Sequence, residues 1–400
     1  MVCKENSLAY NVGDQLEIQI KKIVPNGLGM GFAEKLTVFV PLAVRGDTVA
    51  VEIRQITGRT AFASILKVLE PAPTRTDAVC EYFGSCGGCD FQQMEYDEQL
   101  AAKAGIIEDC LKRIGHIKLE EGIEVLASKE RTGYRLRTQF HIDGREHAVG
   151  FFRRQSHEVI DIERCPVLTD DMNRSLSEIR TELDRYADSV EVTHIEAAAV
   201  SDRRSFYAET LFEPVDELIT EAAGERFAFN ARSFFQANIA MLDSLVDTVV
   251  AGESGKRAVD FYCGAGLFSV PLARRFETVI GIESNSDSVG FAKRNRELAG
   301  LENLELFEGR VREYFKRSDI QPADLVLVDP PRNGVKKNVL GKIAGLCRER
   351  FVYVSCNPST LARDIAILLT KGFEIETIRG LDLFPQTHHV ETVVKLRRVT

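Results

Sequence analysis

The sequence predicts a multidomain α/β protein: an N-terminal β-barrel of the oligonucleotide-binding type, a central α+β domain that carries a metal cluster, and a C-terminal doubly wound, Rossmann-like domain. Three observations lead to this expectation. The chain has 400 residues, which is long for one hydrophobic core. Short alternating strands come first, three cysteines cluster after them, and strands then alternate with helices to the end. We expect domains at 1–70, 71–233 and 234–400.

The first domain, residues 1–70, is predicted from alternating strands. Apolar and polar residues alternate in QLEIQIKKI (15–23) and in DTVAVEI (47–53), and the glycines of NGLGMGF (26–32) separate the strands. About five short strands within some sixty residues are typical of a small barrel. The pattern alone leaves open whether this barrel binds nucleic acid.

The central domain, residues 71–233, begins after a proline-containing linker, EPAPTRTDA (70–78). Apolar residues three or four positions apart predict an amphipathic helix over 95–116. The apolar face of this helix is available to pack on the third domain. From about residue 122 the pattern becomes mixed strands and helices rich in arginine.

The third domain, residues 234–400, is predicted to be a mostly parallel sheet. Helical stretches separate five apolar strands, each of which ends in a turn or a charged residue: RAVDFYCG, TVIGIE, NLELFEG, ADLVLVDPP and FVYVSCNP. In such folds ligands bind beyond the carboxyl ends of the strands. We therefore expect the active site at this edge.

The first of these strands leads into a glycine turn that predicts a nucleotide-like cofactor. Gly264 and Gly266 let the backbone approach a ligand closely. The third glycine of a dinucleotide fingerprint would fall at Ser269, so a pyrophosphate cradle is disfavoured. Glu283 ends the next strand, where a carboxylate can hold a ribose diol. With Asp329 at the end of the fourth strand, the pattern favours S-adenosylmethionine over NAD.

Cys356 ends the fifth strand, just before Asn357-Pro358. A lone cysteine in an apolar strand is more often a packing residue than a nucleophile. Its position at the strand end above the cofactor crevice reverses that preference. We therefore interpret Cys356 as the candidate nucleophile, and Cys263 and Cys347 as packing residues.

A second group of cysteines predicts a metal centre. Cys80, Cys86 and Cys89 lie within ten residues, and Cys165-Pro166 supplies a fourth thiol. The chain has nine cysteines and no apolar signal segment at its start, so a disulfide framework is disfavoured. Four thiolates suit tetrahedral zinc or an iron–sulfur cluster, and the spacing alone leaves the two nearly level.

Composition limits the class of protein. No apolar run approaches the ~20 residues of a membrane span, which with the missing signal segment makes a cytoplasmic location the expectation.

The net charge of −9 does not indicate a nucleic-acid binder. Locally, however, window 131–154 holds six arginines against two acidic residues, interleaved with aromatics, and Lys336 and Lys337 could extend this patch. We expect this window to contact RNA, with a solvated strand face as the alternative. Its aromatics are Tyr134, Phe140, Phe151 and Phe152.

Five motifs together resemble one enzyme family. SFFQAN, DFYCGAG, DPPR, SCNP and LDLFPQTHHVE occur in this order and resemble the RNA uracil-5 methyltransferases that make 5-methyluridine. The cysteine region is similar to the iron–sulfur 23S ribosomal RNA branch, and the first domain looks like a TRAM domain. The resemblance covers nearly the whole chain and implies RNA as the partner, 23S rRNA before tRNA.

The resemblance also implies roles for individual residues. Cys356 would be the nucleophile that adds to carbon 6 of uracil, which makes carbon 5 reactive, and Glu391 the base that removes the carbon-5 proton. Asp329 would contact the uracil or the cofactor. The S-adenosylmethionine site would be formed by Gln236, Tyr262 and Glu283. A [4Fe-4S] cluster, before zinc, would be held by Cys80, Cys86, Cys89 and Cys165.

Two departures and two alternatives accompany the resemblance. Leu267 and Arg310 differ from the residues expected near the adenine, which puts the adenine contacts in question. An RNA cytosine-5 methyltransferase is the first alternative, but its additional cysteine is missing after Asp329-Pro330. The second is a non-catalytic RNA-binding iron–sulfur scaffold, which would need neither Cys356 nor Glu391.

Overall fold

The fold is a series of β-sheet assemblies joined by helices. The structure, a computed structural model, describes residues 10–144, 148–186, 192–208 and 217–399. Across these four ranges, no helix has both the length and the apolar character needed to cross a membrane.

The N-terminal sheet has six strands in the order β1-β5-β6-β4-β3-β2. Its two outermost strands, β1 and β2, are separated by only two residues, so the sheet curls until its ends meet. Alternation places every second residue inside, as Leu36, Val38 and Val40 demonstrate. The strands are β1 (Gln15–Gln19), β2 (Lys22–Val24), β3 (Leu28–Ala33), β4 (Leu36–Val40), β5 (Thr48–Thr57) and β6 (Thr60–Glu70).

Helix α1 (Tyr96–Arg113) lies between the N-terminal sheet and the C-terminal domain. One part of its apolar face, with Ile106, packs on Ile23 of β2. Another part, with Ile107 and Leu111, joins the core of the C-terminal domain. The helix therefore packs on both domains, and the short strand β7 (Val125–Leu126) follows it.

The central sheet is antiparallel, in the order β10-β9-β8-β11-β12. One face packs on helix α2 (Asp170–Tyr186), and the same core contains the thiol of Cys165. A separate hairpin, β13–β14, follows. The strands are β8 (Arg137–Asp143), β9 (Ala148–Phe152), β10 (Val159–Asp161), β11 (His194–Val200), β12 (Arg203–Tyr207), β13 (Leu218–Ala222) and β14 (Glu225–Phe229).

The C-terminal sheet has eight strands in the order β17-β16-β15-β18-β19-β21-β20-β7. The five predicted strands, β15 to β19, are all present and run parallel. The strands of this domain are β15 (Gly255–Phe261), β16 (Phe276–Glu283), β17 (Leu304–Glu308), β18 (Ala323–Val328), β19 (Cys347–Ser355), β20 (Phe373–Leu381) and β21 (Glu391–Arg398).

Two features of this sheet were not predicted. Strand β21 pairs antiparallel with β19 and β20, and β7, from the segment assigned to the central domain, pairs with β20. Helices cover both faces: α3 (Leu242–Val250), α4 (Ser269–Ala273), α5 (Ser286–Leu298), α6 (Val311–Tyr314), α7 (Lys337–Leu346) and α8 (Pro358–Leu369).

Candidate active site

A cavity of about 660 Å³ opens at the carboxyl ends of β15, β16, β18 and β19. This is the edge where the sequence predicts ligands. Its lining brings together all six residues proposed from the sequence for catalysis and cofactor binding: Gln236, Tyr262, Glu283, Asp329, Cys356 and Glu391.

The glycine turn after β15 forms one wall of the cavity. Gly264 and Gly266 have φ angles of 54° and 87°, in the left-handed region that glycine tolerates. Tyr262, with φ of 65°, adopts the same region with a side chain, a strained geometry that is frequent at functional sites. The turn therefore presents its backbone to the cavity.

Glu283 is held in a defined position beside this turn. Its carboxylate accepts hydrogen bonds from the backbone N–H of Gly264 (3.2 Å), Ser284 (2.6 Å) and Asn285 (2.8 Å). The Ser284 hydroxyl also donates to Oε1 (3.4 Å), whereas Oε2 accepts from Gly264 alone among the described residues, so one lone-pair direction of Oε2 remains available to accept from a ligand hydroxyl.

The two candidate catalytic side chains face the other end of the cavity. β19 ends at Ser355, which pairs with Thr392 of β21, and Cys356 and Glu391 are the residues next to this pair along the chain. Cys356 is half-buried and Glu391 is 3% exposed. Asp329 follows β18, the parallel neighbour of β19. One thiol and two carboxyl groups thus line the same cavity.

Burial and mutual repulsion change the acidity of these groups. Burial raises the pKa of Asp329 to about 7. Burial and the charge of Asp329 raise the pKa of Glu391 well above its ordinary value, while Arg332 lowers it. Because two buried carboxylates repel each other, the pair retains a proton near neutral pH. Burial, and then the charge of Glu391, raises the pKa of Cys356 to about 11, so its thiol is not ionised beforehand.

Arg332 and His389 complete this end of the cavity. The Arg332 Nη2 atom lies 3.5 Å from the Nε2 atom of His389. Burial, followed by electrostatic repulsion from His388, lowers the pKa of His389 to about 2, so the His389 imidazole is neutral. Nε2 of His389 is therefore able to accept a hydrogen bond from the Arg332 guanidinium.

Several lining residues were not among the six proposed for catalysis and cofactor binding. Phe234 is 59% exposed although it is a large apolar side chain, and it lines the cavity. The Arg137 guanidinium lies 6.0 Å from the centre of its ring. The adjacent Phe235 is only 3% exposed and belongs to the core. The signal available in the sequence was the position of Phe234 two residues before Gln236.

The two residues that depart from the family pattern have different positions. Leu267 lines the cavity and is 8% exposed. Arg310 is exposed at the start of α6, where its backbone N–H donates to Glu313 (2.8 Å). Only Leu267 therefore contributes to the wall of this cavity.

The four cysteines proposed as metal ligands line a second cavity, of about 30 Å³. Burial, together with the charges of Cys165 and Cys86, raises the pKa of the Cys89 thiol to about 12, although a hydrogen bond with Gln92 acts in the opposite direction. Arg154 donates to the backbone oxygen of Cys89. Within the four described ranges, no group of three or more histidine, cysteine or acidic side chains is arranged to hold a single metal ion.

The arginine-rich window 131–154 does not form one exposed RNA-facing patch in the described residues; residues 145–147 lie outside them. Tyr134 and Phe140 are 4% and 0% exposed, so the expectation that they stack on bases is wrong. Phe140 faces inward because β8 alternates its side chains. Arg137 lines the active-site cavity, whereas Arg135 lines the cysteine cavity.

Sequence comparisons relate the chain to enzymes that modify uracil in RNA. A profile of the tRNA (Uracil-5-)-methyltransferase family matches residues 213–399. The chain is 30% identical to the tRNA (uracil(54)-C(5))-methyltransferase of Schizosaccharomyces pombe, over 96% of this chain and 78% of that protein. It is 27% identical to the 23S rRNA (uracil(1939)-C(5))-methyltransferase of Vibrio parahaemolyticus, over 94% of each chain.

A solved structure has the same fold. It is that of the Pyrococcus abyssi tRNA (uracil-54, C5)-methyltransferase in complex with S-adenosyl-L-homocysteine, with a TM-score of 0.73 and 24% sequence identity. The match covers 95% of this chain and 100% of that one. The shared architecture therefore extends over all the sheets described above.

Proposed function

The chain belongs to the family of RNA (uracil-5-)-methyltransferases, and we propose that it methylates carbon 5 of a uridine in RNA through a covalent adduct on Cys356. The observation that carries the proposed mechanism is the position of Cys356 and Glu391, each next to one member of the Ser355–Thr392 pair and in one cavity. Such a pair can both attack the uracil ring and deprotonate it.

The chemistry of uracil explains the need for both groups. Carbon 5 is a weak nucleophile until a thiolate adds to carbon 6 and leaves an enolate across carbons 4 and 5. S-adenosylmethionine, when bound, supplies the methyl group that the activated carbon accepts. Glu391 then takes the proton from carbon 5, and the electrons of that bond restore the 5,6 double bond as the Cys356 sulfur leaves.

The proton of the Cys356 thiol also needs an acceptor. Since the thiol has a pKa of about 11, it loses its proton only as it attacks. We assign this proton to Asp329, whose pKa of about 7 allows it to accept the proton and release it to water. The proton that the pair retains must also leave Glu391 for water before the later step, and the raised pKa of Glu391 then makes its carboxylate a strong base.

The other end of the cavity suits S-adenosylmethionine. The immobilised Glu283 carboxylate can accept from a ribose hydroxyl, and the backbone of the glycine turn allows close approach of the ligand. Gln236, which is 6% exposed, and Tyr262 provide polar groups on the facing walls. We propose that these three residues bind the cofactor, with Asp329 at the boundary to the uracil.

We further propose that Cys80, Cys86, Cys89 and Cys165 hold a [4Fe-4S] cluster, with zinc as the alternative. The supporting observation is that four thiols line one cavity and raise each other's pKa. A positively charged metal centre would offset this repulsion, and four thiolates match the donor set of such clusters. The role of these residues would be to join segment 80–89 to the segment around 165.

We propose 23S rRNA as the substrate, with tRNA as the alternative substrate. Relatives that act on each are similar to this chain over most of its length. The preference for rRNA depends on the resemblance of the cysteine region to the rRNA branch, and on the N-terminal sheet, which we propose to be a TRAM domain that contacts RNA. We expect the enzyme to act in the cytoplasm, where these RNAs reside.

The test uses anaerobically purified protein, S-adenosylmethionine labelled in the methyl group, and unmodified 23S rRNA and tRNA transcripts. The RNA is digested and its nucleosides are identified by mass. We expect labelled 5-methyluridine, in the 23S transcript. Label in tRNA alone would overturn the substrate proposal, labelled 5-methylcytidine would support the cytosine alternative, and no label in any transcript would contradict the proposed function.

A further inference from the structure

The 382–390 loop, defined as residues 382–390 between β20 and β21, runs directly into Glu391. Contacts from two distant segments of the chain hold it. Lys103 and Tyr96 of α1 bond to the Asp382 carboxylate, and Tyr134 donates to the backbone oxygen of Pro385 (3.0 Å). The position of Glu391 therefore depends on how these segments fix the loop.

A third segment, the cysteine segment (residues 80–91), contacts the same loop at positions nearer to Glu391. Asp90 follows Cys89, and its carboxylate accepts from the backbone N–H of His388 (2.7 Å). Its second oxygen lies 2.5 Å from Nδ1 of the same residue. The backbone N–H groups of Asp90 and Phe91 donate to the carbonyl of Gln386 (3.1 and 3.0 Å). Four hydrogen bonds thus join Asp90 and Phe91 of the cysteine segment to residues 386–388 of the 382–390 loop.

This junction is closely packed. Gly27, in the short turn between β2 and β3, has φ of +71°, and a Cβ atom there would lie 3.0 Å from the Cβ of His388 and 3.1 Å from a carboxylate oxygen of Asp90. The N-terminal sheet therefore closes over the Asp90–His388 pair. A side chain at position 27 would force the pair apart.

On its other side, His388 reaches the active site through its neighbour. The rings of His388 and His389 have their centres 4.2 Å apart. His389 lines the cavity and contacts Arg332, which lowers the pKa of both Cys356 and Glu391. A displacement of His388 would thus move a group that touches the catalytic cavity.

We propose that Asp90 is a positioning residue for the methyl-transfer reaction, which acts through His388 to place Glu391 against the carbon-5 proton. The inference rests on the proposed function, because it assigns Glu391 as the base. The inference goes beyond the proposed function because it connects the cysteine segment to catalysis. A change in the conformation of residues 86–91 would change the position of Glu391. A contact that only stabilises the fold would leave the rate of proton removal unchanged relative to the rate of methylation.

The test compares Asp90→Ala with the parent enzyme. If Asp90 places Glu391, we expect kcat to fall by about tenfold to a hundredfold, since a misplacement of about 1 Å has such effects, with KM for RNA nearly unchanged. Because the impaired step follows methylation, the methylated covalent adduct should accumulate on Cys356. Denaturing gels with methyl-labelled S-adenosylmethionine measure this adduct as labelled protein–RNA.

Matched variants separate this effect from others. His388→Ala should reproduce the phenotype, and the double variant should be no worse than either single one, because both remove one interaction. Asp77→Ala changes an exposed aspartate three residues before Cys80, and its kcat and adduct level should equal those of the parent enzyme. If Asp90→Ala does not fold, kcat and the amount of labelled adduct are measured on His388→Ala instead.

Two results would overturn the inference while the parent remains active. One is an Asp90→Ala enzyme with parental kcat. The other is a variant with a lower unfolding temperature and lower kcat but no accumulated adduct, which indicates a structural tie. A parent enzyme that forms neither 5-methyluridine nor an adduct would instead contradict the proposed function itself, and the inference with it.

Discussion

Cys356 and Glu391 each lie next to one member of the pair Ser355–Thr392, which joins β19 to the antiparallel strand β21. Thirty-five positions of sequence, including α8 and β20, separate the two residues. Directly opposed residues in an antiparallel pair have their Cα atoms about 4.5–5.5 Å apart. The pairing of these two strands therefore brings the proposed nucleophile and the proposed base to the same cavity.

The covalent mechanism predicts opposite behaviour for variants of these two residues. Glu391→Gln should accumulate a methylated protein–RNA adduct, with kcat reduced by about 10²–10⁴-fold, since the general base is lost. Cys356→Ala should form no adduct and no product. Denaturing gels with labelled RNA measure the adduct. Glu308→Gln, at the exposed end of β17, is the control. Product formation by Cys356→Ala would contradict the mechanism.

Arg332 should set the pH range of the reaction. Burial raises the pKa values of Cys356 and Glu391, and the Arg332 charge partly opposes this. In Arg332→Gln that opposition is lost, both pKa values rise, and the ionised forms appear only at higher pH. The acidic limb of the single-turnover rate should therefore move to higher pH. An unchanged profile would show that Arg332 does not influence the reacting groups.

Glu283 should affect cofactor binding more than RNA binding. Glu283→Gln removes the charge from a carboxylate that would accept a ribose hydroxyl, and hydrogen bonds to charged groups contribute about 1.5–3 kcal/mol. We expect the Kd for S-adenosylmethionine, measured by calorimetry, to rise at least about tenfold. Glu277→Gln, exposed on the same strand, is the control. Equal losses of RNA and cofactor affinity would indicate a distorted fold.

The cysteine cavity should bind iron and sulfide. After anaerobic purification, the parent protein should contain about four irons, as a [4Fe-4S] cluster requires, and absorb visible light. Cys86→Ser and Cys165→Ser should lose most of both signals. Cys347→Ser is the control, because that thiol is buried in the C-terminal core away from the cavity. Stoichiometric zinc in the parent, without iron, would favour the alternative metal.

The buried Lys103–Asp382 ion pair should be sensitive to removal of one partner. Both side chains are 0% exposed. Lys103→Met leaves the Asp382 charge unpaired and should lower the free energy of unfolding by about 3–5 kcal/mol, whereas the double variant with Asp382→Asn should recover part of this loss. Arg397→Ala breaks an exposed pair with Glu374 and should have little effect. Urea unfolding measures these differences. A small effect of Lys103→Met alone would mean that water reaches the pair.

Most of the catalytic cavity could be predicted because its residues follow recognisable strands. Glu283, Asp329 and Cys356 each come at or just after the end of a parallel strand, and such ends share one edge of the sheet. Glu391 was different: it begins an antiparallel strand, so only its motif indicated a role. The exposure of Phe234 could not be predicted, because an apolar side chain beside Phe235 has no local signal for exposure.

The RNA-contact expectation for window 131–154 failed in part for a related reason. The number of arginines and aromatics in a window does not reveal which way each side chain points. Strand alternation directs Phe140 into the core, while Arg135 and Arg137 serve two different cavities. The composition of the window therefore indicated that arginines lie near functional cavities. It did not indicate which arginine lines which cavity.

The sequence by itself determined the strand-rich N-terminal region, the parallel sheet and the sheet edge at which the cavity opens, because hydrophobic periodicity and strand-ending motifs are local properties. Only the tertiary structure decided that Asp90 bonds His388, 298 positions away, and that Lys103 bonds Asp382, 279 positions away. Each partner is selected by how separately formed elements pack together. No local pattern encodes such a pairing, since the free energy that selects it arises only when both side chains leave water at the same place.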